Sequence, residues 1–507
     1  MSALRPHRLK SSRTLIFLGL FFIVLAIVHF RSDGGLGNYK HRLSQVYQDH
    51  SASEEPIIEL PVQEAFKHNH IALASSFEWW HYDVFVPVAR SVEHVLGRQD
   101  SSRLYVVNPY HLGEYGFNEV LNTTGIYHGE QFNYNNLVDD MSATSLFPSD
   151  PGAMIDVVVL GTCEFDMPYW SEKLLPVWDA RPKDKRFTIV CIAHHIKDER
   201  TYVKVEEWAS RGALRYLTLS EHVSKAMYTH VRQKYNESSP LFPLSEKLKV
   251  DVHIPILPLV DTPRERLSPR KLSNVVIQGL LEAARRNYKT IMEDLTRALK
   301  EDPGLWGYLH PLEGTVEFRP DPTPDASPFH LHLLGSFRDF DQVPAELKHV
   351  VILHKDLQYL PYFELMQSMD IVLPAFSTHH YYDEKASSTV VMSIQCNVPI
   401  LVSRRFRGAY NFADDDRILI TRPEVMSDVA ALRALRSGIS PLAVHSTFGV
   451  DRSTKIGLHG PSRDEYRMDI QRMMRQGWER SDEEFDAYKT ELQHKNEDVV
   501  RKILNDK

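Results

Sequence analysis

Two blocks of one pattern dominate this 507-residue chain: short apolar runs of strand length alternate with stretches of helical spacing, and the alternation restarts past the middle. Alternating strands and helices imply a parallel sheet with helices on its faces. In the first block the strand-like runs fall at 104–107, 156–160, 187–193, 215–220 and 250–256, with a helix over 222–231 that Ser220-Glu221 opens. In the second they fall at 274–279, 330–334, 349–353, 370–374 and 398–402, with helices over 288–299, 360–369 and 386–395. Between the blocks, residues 257–272 gather Pro258, Pro263 and Pro269 with Arg264, Glu265, Arg266 and Arg270, the composition of an interdomain linker. The pattern predicts α/β architecture: two doubly wound domains, 76–262 and 273–450. A helical tail over 451–507 follows, with Tyr466, Ile470, Met473, Met474 and Trp478 on one face. Hydrophobic residues at 43% and charged residues at 25% match an ordinary globular chain, which excludes wholesale disorder.

The N-terminus adds a membrane signal. Residues 14–30 carry no full charge and are almost wholly apolar. As a helix they would span roughly 25 Å, close to the thickness of an early secretory membrane. Arg5, Arg8, Lys10 and Arg13 precede the run, so the positive-inside rule places 1–13 in the cytosol and the body in the lumen. A cleaved signal peptide would share the charged start, but the run is long and Val28-His29-Phe30 makes a poor cleavage site. The expectation is a single-pass type II anchor in the Golgi or endoplasmic reticulum membrane, followed by a polar stem over 31–75. Asn122-Thr123-Thr124 and Asn236-Glu237-Ser238 are sequons compatible with a luminal glycoprotein. A net charge of −8 argues against a broad nucleic-acid-binding face. The 3 cysteines, Cys163, Cys191 and Cys396, form no C-x-x-C pair and allow at most one disulfide.

Open α/β sheets bind ligands at the carboxyl ends of their strands, where helix N-termini favour phosphate. The most informative stretch is 370–402. A strand ends at Pro374, a polar loop reaches His379-His380-Tyr381-Tyr382-Asp383-Glu384-Lys385, and a helix opens through Ser387, Ser388 and Thr389. Hydroxyls and backbone N–H groups at that helix start, with the Lys385 charge, suit a diphosphate. The plainer alternative is that Ser387 or Ser388 merely caps the helix.

The order strand, loop with glutamate, helix, Val398-Pro399-Ile400-Leu401-Val402 resembles the donor half of GT-B glycosyltransferases, most of all the retaining group that includes glycosyltransferase family 4. That group carries an E-x7-E motif followed by a Gly-x-Pro-Val strand. Aligned on Val398-Pro399, the first motif glutamate falls on Glu384, the second on Met392, and the glycine on Asn397. The resemblance thus implies that Glu384 holds the donor sugar's hydroxyls, and leaves the ribose contact without its usual acid. Val275-Val276-Ile277-Gln278-Gly279 resembles the first donor-domain strand. The cations that neutralise the diphosphate would then be Arg285 and Arg286, set further along than usual. Leu331-His332-Leu333-Leu334-Gly335-Ser336 resembles the next strand and its glycine turn. In the first block, Val190-Cys191-Ile192-Ala193-His194-His195 resembles an acceptor-domain strand ending in histidine, where His194 or His195 would contact donor sugar or acceptor.

The resemblance implies a GT-B fold of two facing Rossmann-like domains and a hexosyltransferase-like enzyme. It would move a sugar, with retention of configuration, from a nucleotide-diphosphate sugar to a glycan, protein or lipid acceptor. Arg285, Arg286, Lys385, Ser387, Ser388, Thr389 and Gly279 would form the nucleotide-sugar site, with no cofactor and no metal required. Asp414-Asp415-Asp416 reads as a polar turn, not a strand-terminal D-x-D. Two rival readings remain. One is a catalytically inactive glycan- or nucleotide-binding luminal protein on the same fold, suggested by Met392. The other is an anchored hydrolase using Glu164 with Asp166 beside Cys163, for which no nucleophile-elbow or zinc motif speaks.

Overall fold

The apolar runs become parallel strands in two sheets. The computed structural model describes residues 66–75, 81–97, 102–106, 116, 119–120, 131–234, 248–257, 259, 270–338, 340, 342–442 and 463–506. The expected cytosolic tail at 1–13, the membrane segment at 14–30, the stem up to 65, both sequons and most of the linker lie outside the described residues. Among the described residues no helix is long and apolar enough to cross a membrane.

The first sheet holds β1 (Ile71–Ser75), β2 (Ser102–Val106), β3 (Gln131–Asn133), β4 (Val157–Leu160), β5 (Thr188–Ala193), β6 (Leu214–Thr218) and β7 (Lys249–Val252). Its order is β3-β2-β1-β4-β5-β6-β7 with every pair parallel. The second sheet starts at β8 (Asn274–Gln278). After a small antiparallel ladder of β9 (Tyr308–Leu309) with β10 (Arg319–Pro320), it continues with β11 (His330–Gly335), β12 (Val351–Lys355), β13 (Ile371–Val372), β14 (Ile400–Val402) and β15 (Leu419–Thr421). Its order is β12-β11-β8-β13-β14-β15, again all parallel. In each sheet the strand order reverses beside the first strand, between β1 and β4 and between β8 and β13. Loops diverge there and leave a crevice at the strands' carboxyl ends.

The helices that matter for the site are α1 (Tyr82–Leu96), α2 (Cys163–Ala180), α3 (Glu221–Lys234), α4 (Tyr288–Glu301), α5 (Tyr359–Gln367), α6 (Ser388–Gln395), α7 (Arg463–Gln476) and α8 (Asp482–Leu504). The sequence reading misses α1 and α2 as helices. Both carry internal proline, Pro87 in α1 and Pro168 and Pro176 in α2, which ordinarily argues against a helix. In α1 the carbonyl of Pro87 accepts from the Ser91 hydroxyl, and Phe85, Val88 and Val92 are buried.

Two boundaries need correction. The stem was expected to run to residue 75 and the first domain to begin at 76, yet β1 occupies Ile71–Ser75 at the centre of the first sheet. Ile-Ala-Leu-Ala-Ser has weak strand propensity. It is buried from both sides because small side chains fit between covered faces. The expected C-terminal tail is helical but is no appendage. The start of α8 is tied to the second half: Asn397 Nδ2 donates to Asp482 at 3.2 Å and Arg417 pairs with Glu491 at 2.7 Å. Its end is tied to the first half. Glu497 meets His94 of α1 at 2.6 Å, the Leu504 carbonyl accepts from the His68 N–H at 3.0 Å, and Asp506 pairs with Arg215.

Residues Phe66–Lys507 form one compact unit. One apolar cluster runs through both halves: Leu73 and Val159 of the first sheet, Phe85 and Val88 of α1, Val276 and Val372 of the second sheet, Met366 of α5, Met392 of α6 and Val500 of α8. A single disulfide, Cys163–Cys191, joins the first residue of α2 to β5 (Cα–Cα 5.2 Å), while Cys396 is a buried thiol.

Gly335, at the end of β11, has φ +141, and a Cβ there would run into the carbonyl of Gly279. Gly335→Ala is therefore expected to lower unfolding stability by about 2–3 kcal/mol in urea titration. Gly408→Ala, on a helical turn with nothing within 4 Å of the added methyl, is expected to be neutral or slightly stabilising in the same measurement.

Candidate functional site

The second sheet's switch point assembles one wall. Residue 279 follows β8 with φ +121, a conformation glycine adopts freely. The chain then turns back so that Arg286 bridges to Phe376 in the loop after β13 and the Asn287 N–H donates to the Ala375 carbonyl at 2.7 Å. This lays the Arg286 side chain over Gly279. A Cβ at 279 would stand 2.8 Å from Arg286 Nη2, so the missing side chain makes room for the guanidinium.

Arg286 is 4% exposed and pairs with no carboxylate among the described residues. Nη2 donates to the Thr389 hydroxyl at 3.0 Å and approaches the Ser387 hydroxyl at 3.5 Å, whereas Nε and Nη1 have no hydrogen-bond partner. The rings of Tyr381 and Phe376 lie 5.1 and 5.2 Å from the guanidinium carbon. Burial pulls its pKa below the usual arginine range. The other deeply buried arginines are compensated. Arg215 pairs with Asp251 and Asp506, Arg436 donates to the Leu272, Leu305 and Ser327 carbonyls, Arg181 to those of Ile155, Lys185 and Met141, and Arg480 to those of Asp416 and Leu419. A buried cation without a counter-charge costs several kcal/mol, which makes Arg286 a candidate for holding an anion.

The motif loop completes the wall. A helical turn at His380–Asp383 ends at Glu384, and Ser387 precedes α6 in extended conformation. Ser388 is exposed and, with Thr389, presents first-turn N–H groups of the kind a helix cannot satisfy itself. Lys385 is partly buried and enters no ion pair among the described residues. Burial first, and then the charge of Arg285, lowers its pKa.

Glu384 is 9% exposed, with both carboxylate oxygens occupied. His380 Nδ1 lies 2.6 Å from Oε1, and the Lys197 ammonium sits on Oε2. Burial would raise its pKa, but hydrogen bonds from Lys197 and His380 outweigh that and hold it below the usual glutamate value. Lys197 belongs to the loop after β5 of the first sheet, so the bridge joins the two halves. A second link lies beside it: His222, in the first turn of α3, has Nε2 3.1 Å from the Lys385 carbonyl and packs its ring edge on Tyr410 at 4.6 Å. The Glu384 turn therefore lies against the first sheet's strand ends.

The two predicted histidines diverge. His195 is half-buried; burial, then the Lys385 charge, lowers its pKa below 6.5. His194 turns inward, with Nε2 2.9 Å from the Gly161 carbonyl and its ring 4.0 Å from that of His81, which precedes α1 at φ +72. Both backbone N–H groups of the pair donate to Glu164 Oε1, and Asp166 accepts from the Thr162 N–H at 2.7 Å and the Tyr134 hydroxyl at 2.9 Å. The hydrolase alternative is thereby corrected: Glu164 shapes the histidine corner, Asp166 caps its own helix, and neighbouring Cys163 is in a disulfide.

Other predicted residues divide likewise. Arg286, Gly279, Lys385, Ser387 and Glu384 come together. Arg285 is exposed and pairs with Glu282 at 3.1 Å. The Thr389 hydroxyl is not available to a ligand, because it donates to the Gln278 carbonyl at 3.1 Å while accepting from Arg286; it positions the arginine. Asp414 and Asp416 pair with Arg407, and Asp415 with Arg417. Sequence reasoning missed Lys197 and His222, although each follows a predicted strand end. Tyr410 carries no such signal.

No protein-family profile matches the chain, and no curated protein sequence matches it. Among solved structures it is distantly similar to a glycotransferase of kitacinnamycin (13% identity, 86% of this chain and 99% of that one, TM-score 0.36). It is also similar to an alpha-glucosyltransferase in complex with UDP-glucose and DNA containing an abasic site (9%, 85% and 94%, TM-score 0.39). A third is alpha,alpha-trehalose 6-phosphate synthase from Burkholderia multivorans (9%, 86% and 98%, TM-score 0.37).

The electrostatics make a direct expectation. The His195 imidazole should titrate below 6.5 by NMR, and Lys385→Ala should raise its midpoint, because removing a neighbouring positive charge favours the imidazolium. An unchanged midpoint would show that the two groups do not face each other.

Proposed function

We propose that the protein is a glycosyltransferase that binds a nucleotide-diphosphate sugar between its halves. The observation that carries this reading is Arg286, a buried guanidinium with two unmet N–H positions, lying over a side-chain-free turn and beside a helix start. Planar forks of this kind match phosphate oxygens, and α6 adds backbone donors with a favourable dipole. The Lys385 charge and the exposed Arg285 extend the positive field. When the sugar leaves its diphosphate, negative charge grows on those oxygens, and fixed donors stabilise it without reorganising. Glu384, kept ionised by its neighbours, would accept hydroxyls of the donor sugar. His195, kept neutral, would offer a ring nitrogen to donor or acceptor from the opposite side. The two halves together exclude water, which limits hydrolysis.

The finer expectations belong to the same proposal: retention of configuration, a hexose donor, a glycan, protein or lipid acceptor, no bound cofactor, and a luminal body held by the 14–30 anchor. The Cys163–Cys191 bond supports an oxidising compartment, since cytosolic thiols are mostly kept reduced. Met392 favours a second reading. Where the resembled motif has its second acid, this side chain is 3% exposed within the shared core, consistent with a protein that binds nucleotide but does not turn it over.

Two variants test these readings by calorimetry, thermal unfolding and turnover. Arg286→Met should weaken nucleoside-diphosphate binding by roughly 100-fold without lowering the unfolding midpoint, because it removes an uncompensated buried charge. Glu384→Gln should leave diphosphate affinity in place and reduce transfer by about 100-fold or more. Tight nucleotide binding with no transfer or donor hydrolysis by the unaltered protein would decide for the non-catalytic reading. Intact binding in Arg286→Met would refute the site.

A further inference from the structure

Glu384 is the group that the donor reading assigns to sugar hydroxyls, yet its carboxylate is already filled by side chains of the protein. One oxygen is held by His380 from its own helical turn, an arrangement a ligand need not disturb. The other is held by Lys197, which arrives from the opposite half on the short loop between β5 and the turn Glu199–Tyr202. The two partners differ in freedom. The Glu384 side chain is 12% exposed and fixed, whereas that of Lys197 is 56% exposed on a flexible stem. Glu384 is the only carboxylate that Lys197 meets as an ion pair among the described residues. A half-exposed cation on a flexible stem, paired with a fixed carboxylate, is a contact that a ligand can replace.

We propose that Lys197 is a specificity-determining residue: its ammonium occupies the sugar end of the donor site, and a donor binds fully only if its sugar hydroxyls take over Glu384 from that ion pair. The proposal rests on the glycosyl-donor reading above and adds a prediction which that reading does not make. A nucleoside diphosphate reaches Arg286 and the α6 start without touching Glu384, so the bridge leaves its affinity alone. A nucleotide sugar must break the bridge. A partly exposed ion pair is weak, so the penalty is roughly two- to fivefold in affinity, and salt should reduce it.

The test uses the full chain in mild detergent, titrated with UDP, UDP-glucose, GDP and GDP-mannose at low and high salt. Lys197→Met should tighten the sugar nucleotide of the bound pair by about two- to fivefold and leave its nucleoside diphosphate unchanged, while Lys197→Arg behaves as the unaltered protein. In the unaltered protein, added salt should improve the sugar nucleotide relative to its diphosphate; in Lys197→Met that ratio should stay flat. Equal weakening of both ligands in Lys197→Met would overturn the proposal and make Lys197 a phosphate ligand. No change in either ligand would overturn it as well. Failure of the unaltered protein to bind any of the four probes would instead refute the donor site itself, and that result appears before any substitution is made.

Discussion

The apolar core shared between the halves is the constraint on which the rest depends. Parallel sheets place their diverging loops at one edge, but two such edges make a site only if they are held facing each other. Here α1 and α5 bury their apolar faces in one cluster with strands of both sheets, joined by Met392 of α6 and by Val500, Ile503 and Leu504 of α8. The last helix anchors its start on the second half and its end on the first. Asn496 makes the fit specific at mid-helix, giving and receiving hydrogen bonds with the backbone of Ile254 at 2.7 and 2.9 Å. A hinge running through that core would have to expose apolar surface, so motion between the halves is limited to what the loops and long side chains at the strand ends allow.

On that rigid base the crevice is electrostatically unbalanced. Arginines buried elsewhere are matched with carbonyls or carboxylates, as burial of charge requires. At the second sheet's switch point the matching stops: Arg286 meets hydroxyls and aromatic faces, Lys385 enters no ion pair among the described residues, and Glu384 takes its cation from the other half. Thr389 shows how finely this is arranged, since one hydroxyl satisfies a strand-end carbonyl and steers the arginine together.

Legibility in the sequence followed the strength of local signals. Strands such as β4 and β5 were visible because buried parallel strands are continuous apolar runs, and the second sheet's strands stood out for the same reason except β15, whose three residues are too short a run to signal a strand. β1 was hidden by its alanines, and α1 and α2 by their prolines. In the site, Glu384, Lys385 and Ser387 were found because they lie together on a loop between a strand and a helix. Asn397 was noted as a departure from glycine. The structure supplies the reason it serves, since it holds φ +54, a left-handed conformation that asparagine tolerates better than most residues. Lys197 and His222 went unnoticed because nothing in a lysine or a histidine after a strand says what stands opposite.

By itself the sequence determined the parallel α/β class, the two-block organisation, the stretch that carries the loop chemistry and the ceiling of one disulfide, all properties of residues close together along the chain. Tertiary structure alone decided which cation is left without a partner, which histidine turns inward, that Glu164 and Asp166 serve the backbone, and that the final helix straps the halves together. The physical reason is distance along the chain. Periodicity and composition report each residue's neighbours within a few positions, whereas the hydrogen bond between Arg286 and Thr389, or the ion pair between Lys197 and Glu384, exists only once remote segments have been packed side by side.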